Sequence, residues 1–214
     1  MTLEQSPTAP RRSRRKHARP SEIIAAALSE FAERGFAATK LDDVAARAGI
    51  SKGTVYLYFA DKNALFEAVV RQELLPVLAR FEAIVDSYQG PSVDLLRGIA
   101  IRFEQVMDSE LGGIPKLVLS ESGNFPEIAR FYADEVVARG LRLFSSILQR
   151  GVVRGEFRDI PAVDLMPVFV GPVLMMLLWK HSIGRHGNVA FDHRTVLATH
   201  LDMFLRALAP EAPR

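Results

Sequence analysis

The stretch Thr39–Leu65, TKLDDVAARAGISKGTVYLYFADKNAL, decides the fold. Thr39 followed three residues on by Asp42 is a helix-start pattern in which a hydroxyl and a carboxylate can each accept an orphan backbone N–H, so a helix should open there. Leu41, Val44, Ala45 and Ala48 then share one face at helical spacing. Gly49 can adopt the left-handed conformation that ends a helix at low cost, which stops this one at about Ala48. Ile50 fills the turn and Ser51 stands where an N-cap belongs. A second helix is expected from Lys52 to about Phe59, with Val55 and Phe59 toward the core and Gly53, Thr54, Tyr56 and Tyr58 outward. Asp61 should cap a third, whose buried stripe opens with Ala64, Leu65 and Ala68.

Two short helices joined by a Gly-containing turn form a helix-turn-helix, a unit whose second helix docks in the major groove of DNA. The start of that helix offers free N–H groups and a positive dipole end to a phosphate, Lys52 and Lys62 add charge, and the Tyr hydroxyls add donors. The run ISKGTVYLYFADKNALFEAVV (50–70), with IIAAALSEFAERGFAATKLDDVAARAG (23–49) before it, resembles the signature of the tetracycline-repressor (TetR) family of bacterial transcription factors. Beyond residue 70 only the family's general helical character is visible. One position departs from the pattern: Tyr58 stands where the family often has His, and its phenol can still donate to a phosphate. The resemblance implies DNA contacts at Thr39, Lys40, Ser51, Lys52, Gly53, Thr54, Tyr56, Tyr58 and Lys62. On this reading Gly53 lets the backbone approach a phosphate and Lys62 clamps the backbone on the far side.

Composition is that of an ordinary soluble globule. The 214 residues can bury a sizeable core, and 49% hydrophobic with 24% charged residues is globular rather than disordered. There is no Cys, which removes disulfide frameworks, thiolate metal sites and thiol nucleophiles and suits a cytoplasmic protein. The polar, basic N-terminus has no apolar run behind it and does not read as a secretory signal. Net charge is only +2, but residues 1–62 hold 11 Lys/Arg against 7 Asp/Glu while residues 63–214 hold 16 against 18. The positive excess sits with the helix-turn-helix, as attraction to phosphate requires.

In chain order, residues 1–19 read as a disordered basic arm carrying RRSRRKHAR (11–19), which would lie along phosphates or enter the minor groove. The helix-turn-helix domain spans 20–66. It opens with Pro20 in the first helical turn and an Ile23, Ile24, Ala27, Leu28, Phe31 stripe ending at Gly35. A ligand-binding and dimerisation domain occupies 67–214. Its first helix runs from about Lys62 to Tyr88, and Pro76 should kink or break it. Further helices are expected at about 92–109, 114–122, 126–154, 161–183 and 192–208, separated by glycine turns; Asn124 and Glu127 supply one more start signal. No segment alternates long enough to make a strand.

The run LMPVFVGPVLMMLLW (165–179) is shorter than the roughly 20 residues that cross a bilayer and contains Pro167 and Pro172, so it reads as buried or shared between subunits rather than as a membrane span. With the stripe Val196, Leu197, Leu201, Phe204, Leu205 and Leu208 it makes a two-helix face, and a symmetric pair of such faces gives a four-helix homodimer interface, the arrangement the resemblance also implies. The resemblance further implies a cavity for a small apolar effector that changes the separation of the two recognition helices, releasing the dimer from palindromic double-stranded operator DNA. Phe103, Met107, Leu119, Phe144, Met175 and Trp179 are the candidate lining, as large, soft or aromatic side chains, although for each one singly plain core packing is the favoured role. Catalysis finds little support: the five histidines are scattered, no metal-ligand spacing or nucleophile motif is present, and no cofactor or metal is implied. A helical adaptor that binds no specific DNA sequence remains the alternative, but it leaves the outward Lys and Tyr residues of SKGTVYLYF without a purpose.

Overall fold

A computed structural model describes residues 11–186 and 189–210, with the side chains of residues 11–19 and of Arg185 outside that description. All regular elements among the described residues are helical. Helix α1 (Arg11–Arg34) is followed by α2 (Leu41–Arg47), α3 (Lys52–Tyr58), α4 (Lys62–Val69), α5 (Leu75–Ser87) and α6 (Ser92–Met107). Then come α7 (Gly113–Glu121), α8 (Pro126–Tyr132), α9 (Ala138–Val153), α10 (Ala162–His181) and α11 (His193–Leu208).

The local signals around the helix-turn-helix act mostly as their chemistry dictates. Gly49 takes φ 67°. Its N–H donates to Ala46 O and that of Ile50 to Ala45 O, the paired bonds that close a helix over a left-handed residue. Ser51 accepts from Thr54 N at 3.2 Å and Asp61 from Ala64 N at 2.8 Å, so α3 and α4 each begin on a side-chain cap. Two start signals are used differently. The N-cap of α2 is Lys40, without a side-chain bond, because Thr39 turns inward and donates to Gly35 O at 2.7 Å and Glu30 O at 3.2 Å. Likewise α8 is capped by Phe125 without a side-chain bond, and Glu127 instead accepts from Asn63 Nδ2 at 3.0 Å.

The helix expected to open at Pro20 begins at Arg11, so residues 11–19 are helical backbone rather than a disordered arm; residues 1–10 lie outside the described residues. Pro20 costs one backbone donor and crowds the carbonyl of Lys16, but the Arg/Lys-rich run before it consists of good helix formers and the helix continues through. Pro76 has the predicted effect. A π-turn at Val70–Leu74 separates α4 from α5, with Leu75 N donating to Val70 O, which re-spaces the backbone just ahead of the residue that cannot donate. A second π-turn, Ala133–Val137, joins α8 to α9. Arg71 in the first turn lies 4.8 Å from the Phe131 ring and 3.9 Å from the Glu135 carboxylate of the second.

Three hydrophobic clusters hold the chain. The first joins the stripes of α1 to α4 around Phe31, Phe36 and Phe66 and continues without a break into Ile114, Leu117, Val118 and Ile128 of α7 and α8. A three-helix unit of this size would be marginal alone; here it borrows core from the second half of the chain. The second cluster gathers Phe144, Phe169 and Phe204 from α9, α10 and α11, and the third gathers Met107, Val173, Met176, Leu177 and Leu197. Helix α10 is not buried all round. Phe169, Val173, Met176 and Leu177 face inward, whereas Val163, Val168 and Met175 are more than half exposed in the single chain. It is long and apolar enough to cross a membrane by length and composition, yet its inward face packs on α7, α9 and α11.

Candidate nucleic-acid interface

Helix α3 owes its orientation to two anchors: Val55 is fully buried and Phe59 is 8% exposed. The opposite side carries Lys52, Gly53, Tyr56 and Tyr58 in contact with solvent, with Thr54 half-buried. Ser51 and Thr54 hydroxyls lie 2.8 Å apart and serve the cap, so Ser51 acts first as the residue that starts the helix. Lys52 Nζ sits 2.8 Å from Asp42 Oδ1 and 5.9 Å from the centre of the Tyr56 ring. The hydrogen bond to Asp42 raises the pKa of Lys52, keeping it charged. The same contact brings the start of α2, with exposed Lys40, beside the start of α3. These residues surround exposed Leu57 on one solvent-facing side.

Two expected contacts lie elsewhere. Thr39 is 1% exposed, its hydroxyl spent on two backbone carbonyls, so its side chain is a tie between α1 and α2 rather than a DNA contact. Lys62 also points inward: Nζ donates to Phe36 O at 2.6 Å, Ala37 O at 3.1 Å and Thr39 O at 3.1 Å and lies 4.4 Å from the centre of the Phe36 ring. All three ammonium donors are used, which is why this side chain faces the Gly35–Lys40 loop rather than a phosphate. Burial pulls its pKa down, with Glu121 opposing. Sequence spacing cannot distinguish such an inward lysine from an outward one, because half-polar helix edges admit both.

An ion-pair network ties α1 to α2. Glu30, 3% exposed, meets Arg47 Nε at 2.9 Å and Arg34 Nε at 3.2 Å, and Arg47 also donates to Glu33 at 2.6 Å. A buried carboxylate requires such partners. Sequence reasoning missed it; Glu30 inside an otherwise apolar stripe was the available signal.

The proposed effector residues do not form one cavity. Phe144 stacks on Phe169 at 5.1 Å, Phe103 lies 6.4 Å from the same ring, and Met107 is buried in the neighbouring cluster. Leu119 and Met175, 54% and 51% exposed, point away from these interiors, because the buried faces of their helices are set by Ile114, Leu117 and Val118 and by Val173, Met176 and Leu177. Trp179 meets Phe191 edge-on at 4.9 Å beside an open cleft of about 260 Å³ that Met176, Lys180 and His193 also line. Among the described residues no group of three His, Asp or Glu side chains is placed to hold a metal ion.

A capped, solvent-facing second helix set on a rigid first helix defines a helix-turn-helix DNA-binding protein. Residues 23–69 match the family model described as bacterial regulatory proteins, tetR family, and this N-terminal stretch is a helix-turn-helix domain of that family. It is 28% identical over 155 residues to the HTH-type transcriptional repressor KstR2 of Mycobacterium tuberculosis, covering 72% of this chain and 76% of that one. It is 30% identical over 138 residues to the HTH-type transcriptional regulator RutR of Escherichia coli, covering 64% and 57%. Its fold matches that of the regulator FadR from Bacillus subtilis, solved in complex with stearoyl-CoA, with a TM-score of 0.74 at 19% identity over 88% of this chain and 98% of that one.

Proposed function

We propose that the protein is a homodimeric cytoplasmic repressor that holds a palindromic operator through two copies of α3 and releases it when a small apolar effector binds the C-terminal helices. The observation that carries this reading is the split character of α3: Val55 and Phe59 are buried, while Lys52, held by Asp42, and Tyr56 are exposed on the opposite side. The DNA-contact set is Lys40, Ser51, Lys52, Gly53, Thr54, Tyr56 and Tyr58. Exposed Val168 and Met175 on α10 and Met203 on α11 supply an apolar face for a second subunit. The Phe103, Met107 and Phe144 interior, rich in soft and aromatic groups, is where an apolar effector would insert. The fatty acyl ligand of the fold relative FadR makes such a molecule a reasonable first probe. Because α4 shares one core with α7 and α8, movement there would reach α3.

The test is fluorescence titration of the DNA flanking the protein's own gene at several salt concentrations, with unrelated duplex as the reference. Specific binding should be salt-dependent and should weaken by about 1–3 kcal/mol in Tyr56→Ala, with the fold retained. Equal affinity for both duplexes at every salt concentration refutes the reading.

A further inference from the structure

We infer that Leu57 selects the operator by packing against the 5-methyl group of a thymine in the major groove, an assignment that rests on the DNA-binding reading above. Leu57 is 81% exposed. With about 100° of rotation per helical residue, it falls opposite the midpoint of the buried pair Val55 and Phe59, at the outermost point of α3. Lys52 and Tyr56 occupy one flank and Thr54 and Tyr58 the other, so an apolar side chain stands at the centre of a face whose edges carry hydrogen-bond donors. Gly53 shares the outer ridge one turn earlier. A Cβ there would meet only Ser51 Oγ at 3.9 Å, so the protein's own packing leaves room for a side chain at that position. A bare backbone followed by an isobutyl group suits a surface that fits against something closely.

The chemistry of Leu57 then narrows what it touches. It can neither donate to a phosphate nor pair with a base edge, and it gains free energy only by leaving water against another apolar group. Among the groups a base pair presents in the major groove, the thymine methyl is the apolar one. The flanking phenols and Lys52 hold the duplex, and Leu57 discriminates.

The test begins with a random-sequence duplex pool enriched separately by the wild-type protein and by Leu57→Ala, both checked by circular dichroism and thermal unfolding. The wild type enriches a site with thymine at a defined position in each half-site, and Leu57→Ala loses the preference at that position alone. On the enriched duplex, replacing that thymine with deoxyuridine in one half-site weakens wild-type binding about fourfold, the transfer free energy of one methyl group, and leaves Leu57→Ala unchanged. Affinity for unrelated duplex is the same for both proteins. Deoxyuridine effects that are equal in the two proteins, or absent from both, overturn the role of Leu57 while leaving the regulator intact. Failure of the wild type to enrich any sequence overturns the regulator reading and Leu57 with it.

Discussion

Replacing Lys62 with Met keeps the aliphatic stem and removes the ammonium, and the structure says what that costs. Three backbone carbonyls lose their donor. That of Ala37 is exposed and regains water cheaply, whereas those of Phe36 and Thr39 are partly buried. Leaving a buried acceptor unpaired costs roughly 1–3 kcal/mol. The desolvation that lowers the Lys62 pKa works the other way, because methionine gives up no hydration on folding. The net loss should be about 2–4 kcal/mol of stability, read as a lower urea midpoint at unchanged slope. DNA titrations of the folded variant over a salt series should retain the wild-type salt dependence, since the ammonium faces the Gly35–Lys40 loop. An unchanged urea midpoint together with a salt slope shallower by about one unit would refute this reasoning and return Lys62 to the phosphate backbone.

Two further outcomes test the helices beyond the helix-turn-helix. Glu82 on α5 receives two hydrogen bonds from Arg139 on α9, one of them 2.5 Å long, and the Arg139 hydrogen bond lowers its pKa from the ordinary 4.5. A depressed carboxylate pKa stabilises the fold above the unfolded-state value, and that stabilisation fades as pH falls through the lower folded-state value. The stability gap between wild type and Glu82→Gln should therefore be fully open above about pH 4.5 and narrow below it; a gap independent of pH across unfolding titrations contradicts the pairing. Val168→Asp places a charge on the exposed face of α10 and should convert a dimer to a monomer in sedimentation at micromolar concentration, with the helical circular dichroism unchanged; a dimer that persists moves the interface elsewhere.

Much of the helix-turn-helix is legible in the chain because its signals are local. Gly49 ends α2, Ser51 and Asp61 cap α3 and α4, and the period of Val55 and Phe59 turns α3 to the core; each acts within about one helical turn, where spacing dictates geometry. Three-dimensional packing decided the rest. Whether Thr39 caps a helix or ties two together depended on the carbonyls of Gly35 and Glu30 lying within reach of its hydroxyl. Whether Lys62 faces DNA or the loop depended on three carbonyls converging on its ammonium. Glu30 is tolerable inside an apolar stripe because Arg47 of α2 joins its own-helix neighbour Arg34 beside the carboxylate, and Leu119 and Met175 face outward because neighbouring helices cover other sides of α7 and α10. Hydrophobic period and capping are properties of consecutive residues, whereas the partner of a polar group is set by which segments the folded core brings together.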